Sequence, residues 1–313
     1  MSDGLTPGGI VSQLAFSPDG TQLAAVSPQR LIVWNIDKQH KGEIYRDIFF
    51  SKAINANGID WLGTGYLLVG GENLVDIERR IVLWKYQHTA KTGLSRDFGA
   101  LGGLFWDVVS SPDMQQRALV GFKLPHDDAR KMAASLNADQ LLAVKPGSQI
   151  SLNVTVQGTP DEQQKAFQAL AAQLQANGMT VANNSPLVLQ ANTETGKNQE
   201  ISYRSFGRGG RNVEKVNVTE QISRVKLLEN GKVLWEAVSV GGAPHFLTMK
   251  EGETLQQALA QYQRPNVQFF SQVKVPQYVA RPSEAGAYGM SNLTPQGIVN
   301  VPLNGQAGLA PKR

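Results

Sequence analysis

Short apolar runs separated by tight turns recur about every 45 residues at the start of this chain, and they recur too few times to close on themselves. Leu14-Ala15-Phe16 leads into Ser17-Pro18-Asp19-Gly20, then Leu23-Ala24-Ala25-Val26, then Leu31-Ile32-Val33-Trp34. A second copy runs through Ile59-Asp60-Trp61, Tyr66-Leu67-Leu68-Val69 and Ile81-Val82-Leu83-Trp84. A fainter third has Val108-Val109-Ser110-Ser111-Pro112-Asp113 and Ala118-Leu119-Val120. The step from Phe16 to Trp61 is 45 residues and that from Trp61 to Ser110 is 49. Each step fits one antiparallel four-stranded unit, with a longer loop in the second. Pro18 and Asp19 suit the middle of a turn, and Gly20 accepts a positive φ. The remaining glycine pairs, Gly70-Gly71, Gly102-Gly103 and Gly241-Gly242, are read as turn glycines because no strand–loop–helix pattern surrounds them.

A length of 313 residues predicts two domains, and an apolar content of 41% is enough for ordinary cores. No run approaches the roughly 18 apolar residues of a membrane span. The first residues show no basic start followed by an apolar stretch, so no secretory signal is expected. With no cysteine, disulfides, thiolate zinc sites and cysteine nucleophiles are excluded. The compartment stays open, because a chain without disulfides can occupy any of them. The net charge of +4 lies wholly beyond residue 125, since residues 1–125 carry 12 basic and 12 acidic side chains. Such an excess favours solubility more directly than it favours a polyanion partner.

The second region mixes helix and strand. Pro125, Asp127, Asp128 and the spacing of Ala129, Met132, Ala133 and Leu136 predict a connector helix over 125–136. Residues 150–156 alternate as a strand. Thr159-Pro160-Asp161-Glu162 is a capping box opening a helix, with Phe167, Leu170, Ala171 and Leu174 on its apolar face and Gly178 as its stop. Strands follow at 179–181 and 187–191. Asn230-Gly231 between 222–228 and 233–238 predicts a tight hairpin. Thr254 and Gln257 mark a second capping box, and 269–275 reads as a last strand. Residues 283–313, rich in Gly, Pro, Asn and Ala without periodicity, predict a disordered tail.

No local motif carries catalysis. There is no Gly-x-Ser-x-Gly elbow and no phosphate loop. His40, His88, His126 and His245 lie far apart without metal-ligand spacing, so surface or structural roles are expected. His126-Asp127-Asp128 is the one histidine cluster with hydrogen-bonding potential. Trp34, Trp61, Trp84, Trp106 and Trp235 sit in apolar strands and are expected in the core. The most interesting polar segment is Arg204-Ser205-Phe206-Gly207-Arg208-Gly209-Gly210-Arg211. Arg204, Phe206, Arg208 and Arg211 on a glycine-rich backbone can stack on bases and neutralise phosphates. The same segment also reads as a solvated loop between two strands.

Phe16-Ser17-Pro18-Asp19-Gly20, followed 14 residues later by Trp34, resembles the WD-repeat β-propellers. The likeness covers about 120 residues, and a propeller takes about four to eight blades. Asn35 and Lys85 stand where that family's aspartate follows the Trp, and the Gly-His that starts its repeats is missing. The whole chain is also similar to the C-terminal part of longer bacterial multidomain proteins in which blades precede an α+β module. The helix-bearing region resembles, at fold level, small α+β domains of bacterial envelope proteins. The resemblance implies a mainly β chain: a partial β-propeller of about three blades over 1–124, a small α+β domain over 125–282 and the tail over 283–313. It implies a non-enzymatic protein-interaction scaffold with no cofactor. The blades would be completed by upstream sequence, by self-association or by a protein partner along open edges. Nucleic-acid or polyanion binding through the Arg204 segment is the alternative.

Overall fold

The computed structural model describes residues 11–40, 42–88, 98–110, 117–204, 213–244, 246–249, 252–283 and 286–302. The chain is mainly β, in several sheets of which none closes among the described residues. It divides into two compact units, Met1–Val144 with Tyr278–Arg313, and Lys145–Gln277. These boundaries differ from those expected at 124 and 282.

In the first unit, β1 (Gln13–Phe16), β2 (Gln22–Ser27), β3 (Arg30–Asn35) and β4 (Glu43–Phe49) pair antiparallel in sequence order. The expected turn joins β1 and β2. Gly20 has φ +70°, and Ser17 Oγ donates to Asp19 Oδ1 at 2.6 Å. β5 (Ile59–Trp61), β6 (Tyr66–Val69), β7 (Asn73–Asp76) and β8 (Ile81–His88) make a second antiparallel run. Leu31 and Val33 of the first sheet and Leu67, Val69 and Val75 of the second share one buried core with Trp61. β9 (Gly99–Leu101), β10 (Leu104–Ser110) and β11 (Arg117–Phe122) form a third sheet in the order β11-β10-β9. The Pro112-Asp113 turn expected before β11 lies outside the described residues.

The predicted connector helix forms as α1 (Asp127–Ser135), followed by α2 (Ala138–Leu141) and β12 (Leu142–Val144). Ala129 and Ala133 of α1 bury against Phe105, Phe122 and Leu124. That burial is why the first unit runs on to residue 144.

In the second unit, β13 (Gln149–Thr155) leads to α3 (Pro160–Ala176) and β14 (Thr180–Val181). The long strands β15 (Leu187–Arg204) and β16 (Val213–Glu229) and then β17 (Lys232–Gly241) complete a sheet ordered β14-β13-β15-β16-β17. Asn230 and Gly231 take φ +50° and +81° in the β16–β17 turn, as two-residue hairpins require. α3 buries Ala166, Leu170 and Leu174, while Phe167 is exposed, so the apolar face lies one residue round from the expected one.

The capping box is complete: the Glu162 amide donates to Thr159 Oγ1 at 3.3 Å, and the Thr159 amide donates to Glu162 Oε2 at 2.7 Å. Thr159→Ala is expected to cost about 1 kcal/mol in urea unfolding. No loss would mean that the helix start is held by packing alone. The Thr159 amide and hydroxyl hold the Glu162 carboxyl below its usual range. Its contribution is therefore present above the unfolded value and is lost as pH falls through the lowered one.

Beyond α4 (Leu255–Ala260), capped by Thr254 and Gln257 as expected, the strand predicted over 269–275 is absent. Phe269–Gln272 is the short helix α5 instead. Phe269 and Phe270 are both buried, which a strand with alternating faces does not allow, and Asn266 Oδ1 accepts from the Phe269 amide.

The expected tail is the largest correction. After β18 (Val279–Ala280), which pairs with β12, β19 (Met290–Thr294) and β20 (Gly297–Asn300) form a hairpin in the first unit. β19 pairs parallel with β8, Met290 opposite Lys85 and Leu293 opposite His88. This extends the second sheet to six strands, β20-β19-β8-β7-β6-β5. Ser291 and Leu293 alternate into the core, a period-two signal that low-complexity composition masks. Residues 303–313 lie outside the described residues.

Candidate interaction surface

The third sheet has one buried face and one open face. Phe105, Asp107 and Val109 of β10 and Phe122 of β11 point into the core. Strand alternation puts Leu104, Trp106 and Val108 on the other side. The register sets Leu104 opposite Leu101 of β9, and Val108 opposite Leu119 of β11. Leu101 is 76% exposed, Leu119 66% and Val108 47%. Trp106 is half-buried, its indole N–H donating to the Leu101 carbonyl at 3.1 Å, so the ring is held at the centre of this face. Gly121 and Gly99 flank it as cross-strand partners, and a Cβ at Gly121 would meet Trp106 at 3.2 Å. Large apolar side chains gathered on one open face are the informative exception to normal surface composition. Comparable apolar exposures occur singly or in pairs at Leu14 and Phe16 of β1, Ile44 of β4 and Val299 of β20, on strands at the edges of their sheets, and at Val240 and Phe246 in the second unit.

Two polar nodes lie inside the same unit. His88 Nδ1 meets Asp107 Oδ2 at 2.5 Å, and His88 Nε2 meets the Gly71 carbonyl at 3.0 Å. A carboxylate and a carbonyl both accept, so each ring nitrogen donates. The second node is built around the predicted His126 cluster. Trp84 Nε1 donates to Ser291 Oγ at 2.9 Å, and Ser291 Oγ donates to Asn300 Oδ1 at 2.8 Å. His126 Nε2 donates to that same Asn300 oxygen at 3.3 Å, while its Nδ1 accepts from Tyr86 Oη at 2.9 Å. Asn300 Nδ2 donates to Asp128 Oδ2 at 2.6 Å. Burial lowers the His126 imidazole from its ordinary value and raises the Tyr86 phenol. Both nitrogens of His126 are engaged by the protein, so neither is offered to a substrate as a base. Asp127 lies outside this network of bonds. Among the described residues no group of three His, Asp or Glu side chains could hold a metal ion. No described helix is long and apolar enough to cross a membrane.

The residues singled out for anion binding are only partly placed. Arg204 ends β15 and is exposed, while Phe206, Arg208 and Arg211 lie outside the described residues, as does His245. Close to Arg204 on the paired strand, Lys215 is bonded to Glu200 at 2.8 Å. Arg224 pairs with Glu194 and Glu236. Lys215 and Arg224 are thus each compensated by carboxylates of the same sheet. Among the tryptophans expected in the core, Trp61 and Trp84 are buried, whereas Trp34, Trp106 and Trp235 are only partly so.

No protein-family model matches the chain, and no curated protein matches it. Several solved structures are similar to parts of it, among them two of bacterial proteins. The PelC dodecamer from Paraburkholderia phytofirmans is 15% identical, covers 43% of this chain and 91% of its own, and has a TM-score of 0.22. A minor lipoprotein from Acinetobacter baumannii is 13% identical, covers 44% of this chain and 99% of its own, also at 0.22. A TM-score of that size assigns no shared fold.

Proposed function

We propose that this protein is a non-enzymatic interaction scaffold built on WD-repeat-like blades, and that a second copy of the chain docks on the open face of β9–β11. The observation that carries the reading is that face: Leu101, Leu104, Trp106, Val108 and Leu119 in register on one side of a sheet. The blade reading is supported by the two runs β1–β4 and β5–β8, each pairing antiparallel in sequence order. In a propeller, the face of each blade packs against the next. A last blade without a neighbour leaves such a face uncovered. The centre of the face is apolar, with the exposed Arg117 on the same side at the start of β11, so two copies can meet through the apolar centre with that charge at the rim.

Burial of each large side chain is worth roughly 1.5–3 kcal/mol before the cost of association. Sedimentation equilibrium tests the reading. The wild-type chain self-associates at micromolar concentration, and Leu119→Asp weakens association by about 30-fold or more while leaving unchanged the thermal midpoint measured below the association range. A wild-type chain that stays monomeric throughout that range contradicts it.

A further inference from the structure

We propose that a cleft in the first unit, separate from the sheet face, binds a small phosphate-class oxyanion. The cleft has a volume of about 230 Å³ and lies between the end of β4 with its following turn, strands β7 and β8, and the segment after β18. Lys52, Arg80, Lys85 and Arg281 all line it, with the hydroxyl of Ser51 and the amide of Asn73 beside them. No Asp or Glu is among the described lining residues.

The neighbouring carboxylates are already committed. Asp47 accepts from Arg30 Nε at 2.8 Å and Nη2 at 2.6 Å. Glu78 accepts from Arg46 and from the Tyr45 hydroxyl. Arg80 is therefore left with a ring as its partner: its guanidinium stacks on Tyr278 at 4.0 Å, and its Nε is buried without an acceptor. The Arg80 backbone is held at φ +57°, a conformation uncommon outside glycine that clusters at ligand sites. Arg281 is oriented from behind, its Nη1 donating to the carbonyls of Gln140 and Leu142 at 2.7 and 3.0 Å. Burial, and then the Arg46 charge, lower the Arg80 guanidinium from its ordinary value, outweighing the opposing charges of Glu78 and Asp47. Two ammonium groups, the Arg80 guanidinium and the positive charge of Arg281 match the charge and the several acceptor oxygens of a phosphate.

Titration calorimetry of the whole chain with inorganic phosphate, at ionic strength held constant with chloride, tests the proposal. The expected result is saturable binding at one site, weakened about tenfold or more by Arg80→Gln and by the exposed change Lys52→Glu. A parallel titration with glycerol 3-phosphate separates the sources: tighter binding assigns a phosphate ester, equal binding the free anion. Absence of saturable heat, or affinity unaltered in both variants, overturns the proposal. The Lys52 variant keeps the test valid if Arg80→Gln fails to fold.

Discussion

Asp107→Ala is expected to lower the unfolding free energy by about 3–5 kcal/mol, the range for breaking a buried ion pair by removing one partner. The side chains of His88 and Asp107 are only 5% and 4% exposed. His88 is the last residue of β8 and Asp107 sits in the middle of β10, so the pair bonds the second sheet to the third. Removing the carboxylate leaves the buried Nδ1 of His88 without a partner, while Nε2 still meets the Gly71 carbonyl. Replacing both residues with leucine is expected to recover part of the loss, because no charge is then left unpaired. Denaturant titration of the three proteins reads these differences. A loss below about 1 kcal/mol for Asp107→Ala would place the pair among contacts that water can replace.

Gly289→Ala is expected to cost about 3 kcal/mol, the upper end of the usual range for overpacking. An added Cβ would lie 2.0, 2.2 and 2.4 Å from Cζ3, Cε3 and Cη2 of Trp84, too close for the ring to remain in place. The ring has little room to yield. Its N–H is bonded to Ser291, and its centroid lies 4.9 Å from that of His126 in an edge contact. The backbone cannot easily yield either, since the Gly289 carbonyl accepts from the Lys85 amide at 2.9 Å where β19 joins β8. Gly99→Ala, whose Cβ would meet nothing nearer than 3.9 Å, is the control and should cost much less. Equal effects of the two substitutions would mean that the Trp84–Gly289 contact does not hold the hairpin.

The same region sets a pH dependence. Because burial lowers the His126 imidazole, the unfolded chain takes up its proton first, at the ordinary value of 6.5. The stability this group contributes is whole above 6.5 and is lost as pH falls from there toward the lowered value. His126→Gln is expected to flatten that slope in denaturation curves measured across the interval. An unchanged slope would contradict this account of the node.

Local chemistry was legible wherever one turn or one cap decides the structure. Ser17-Pro18-Asp19-Gly20, Thr159 with Glu162 and Asn230-Gly231 each form as their residues dictate. What escaped were features set by distant partners. Nothing near Met290 announces that its strand pairs with β8, more than 200 residues earlier in the chain. Gly and Asn content hid the alternation of Ser291 and Leu293. Phe269 and Phe270 read as strand by propensity, yet two adjacent buried rings favour a helical turn. The open face of the third sheet was present in the alternation of Leu104, Trp106 and Val108 with Phe105, Asp107 and Val109. A strand with large apolar residues on both sides predicts a neighbour on each. The cationic cleft gave no local signal, because Lys52, Arg80, Lys85 and Arg281 meet only in the fold.

Hydroxyl-radical footprinting at low and high protein concentration tests the central claim most directly. The account predicts that Trp106, Val108 and Leu119 become protected together as concentration rises, while exposed Phe16 on β1 stays reactive. Equal reactivity of Trp106 and Leu119 at all concentrations, or protection that falls on β1 instead, would contradict it.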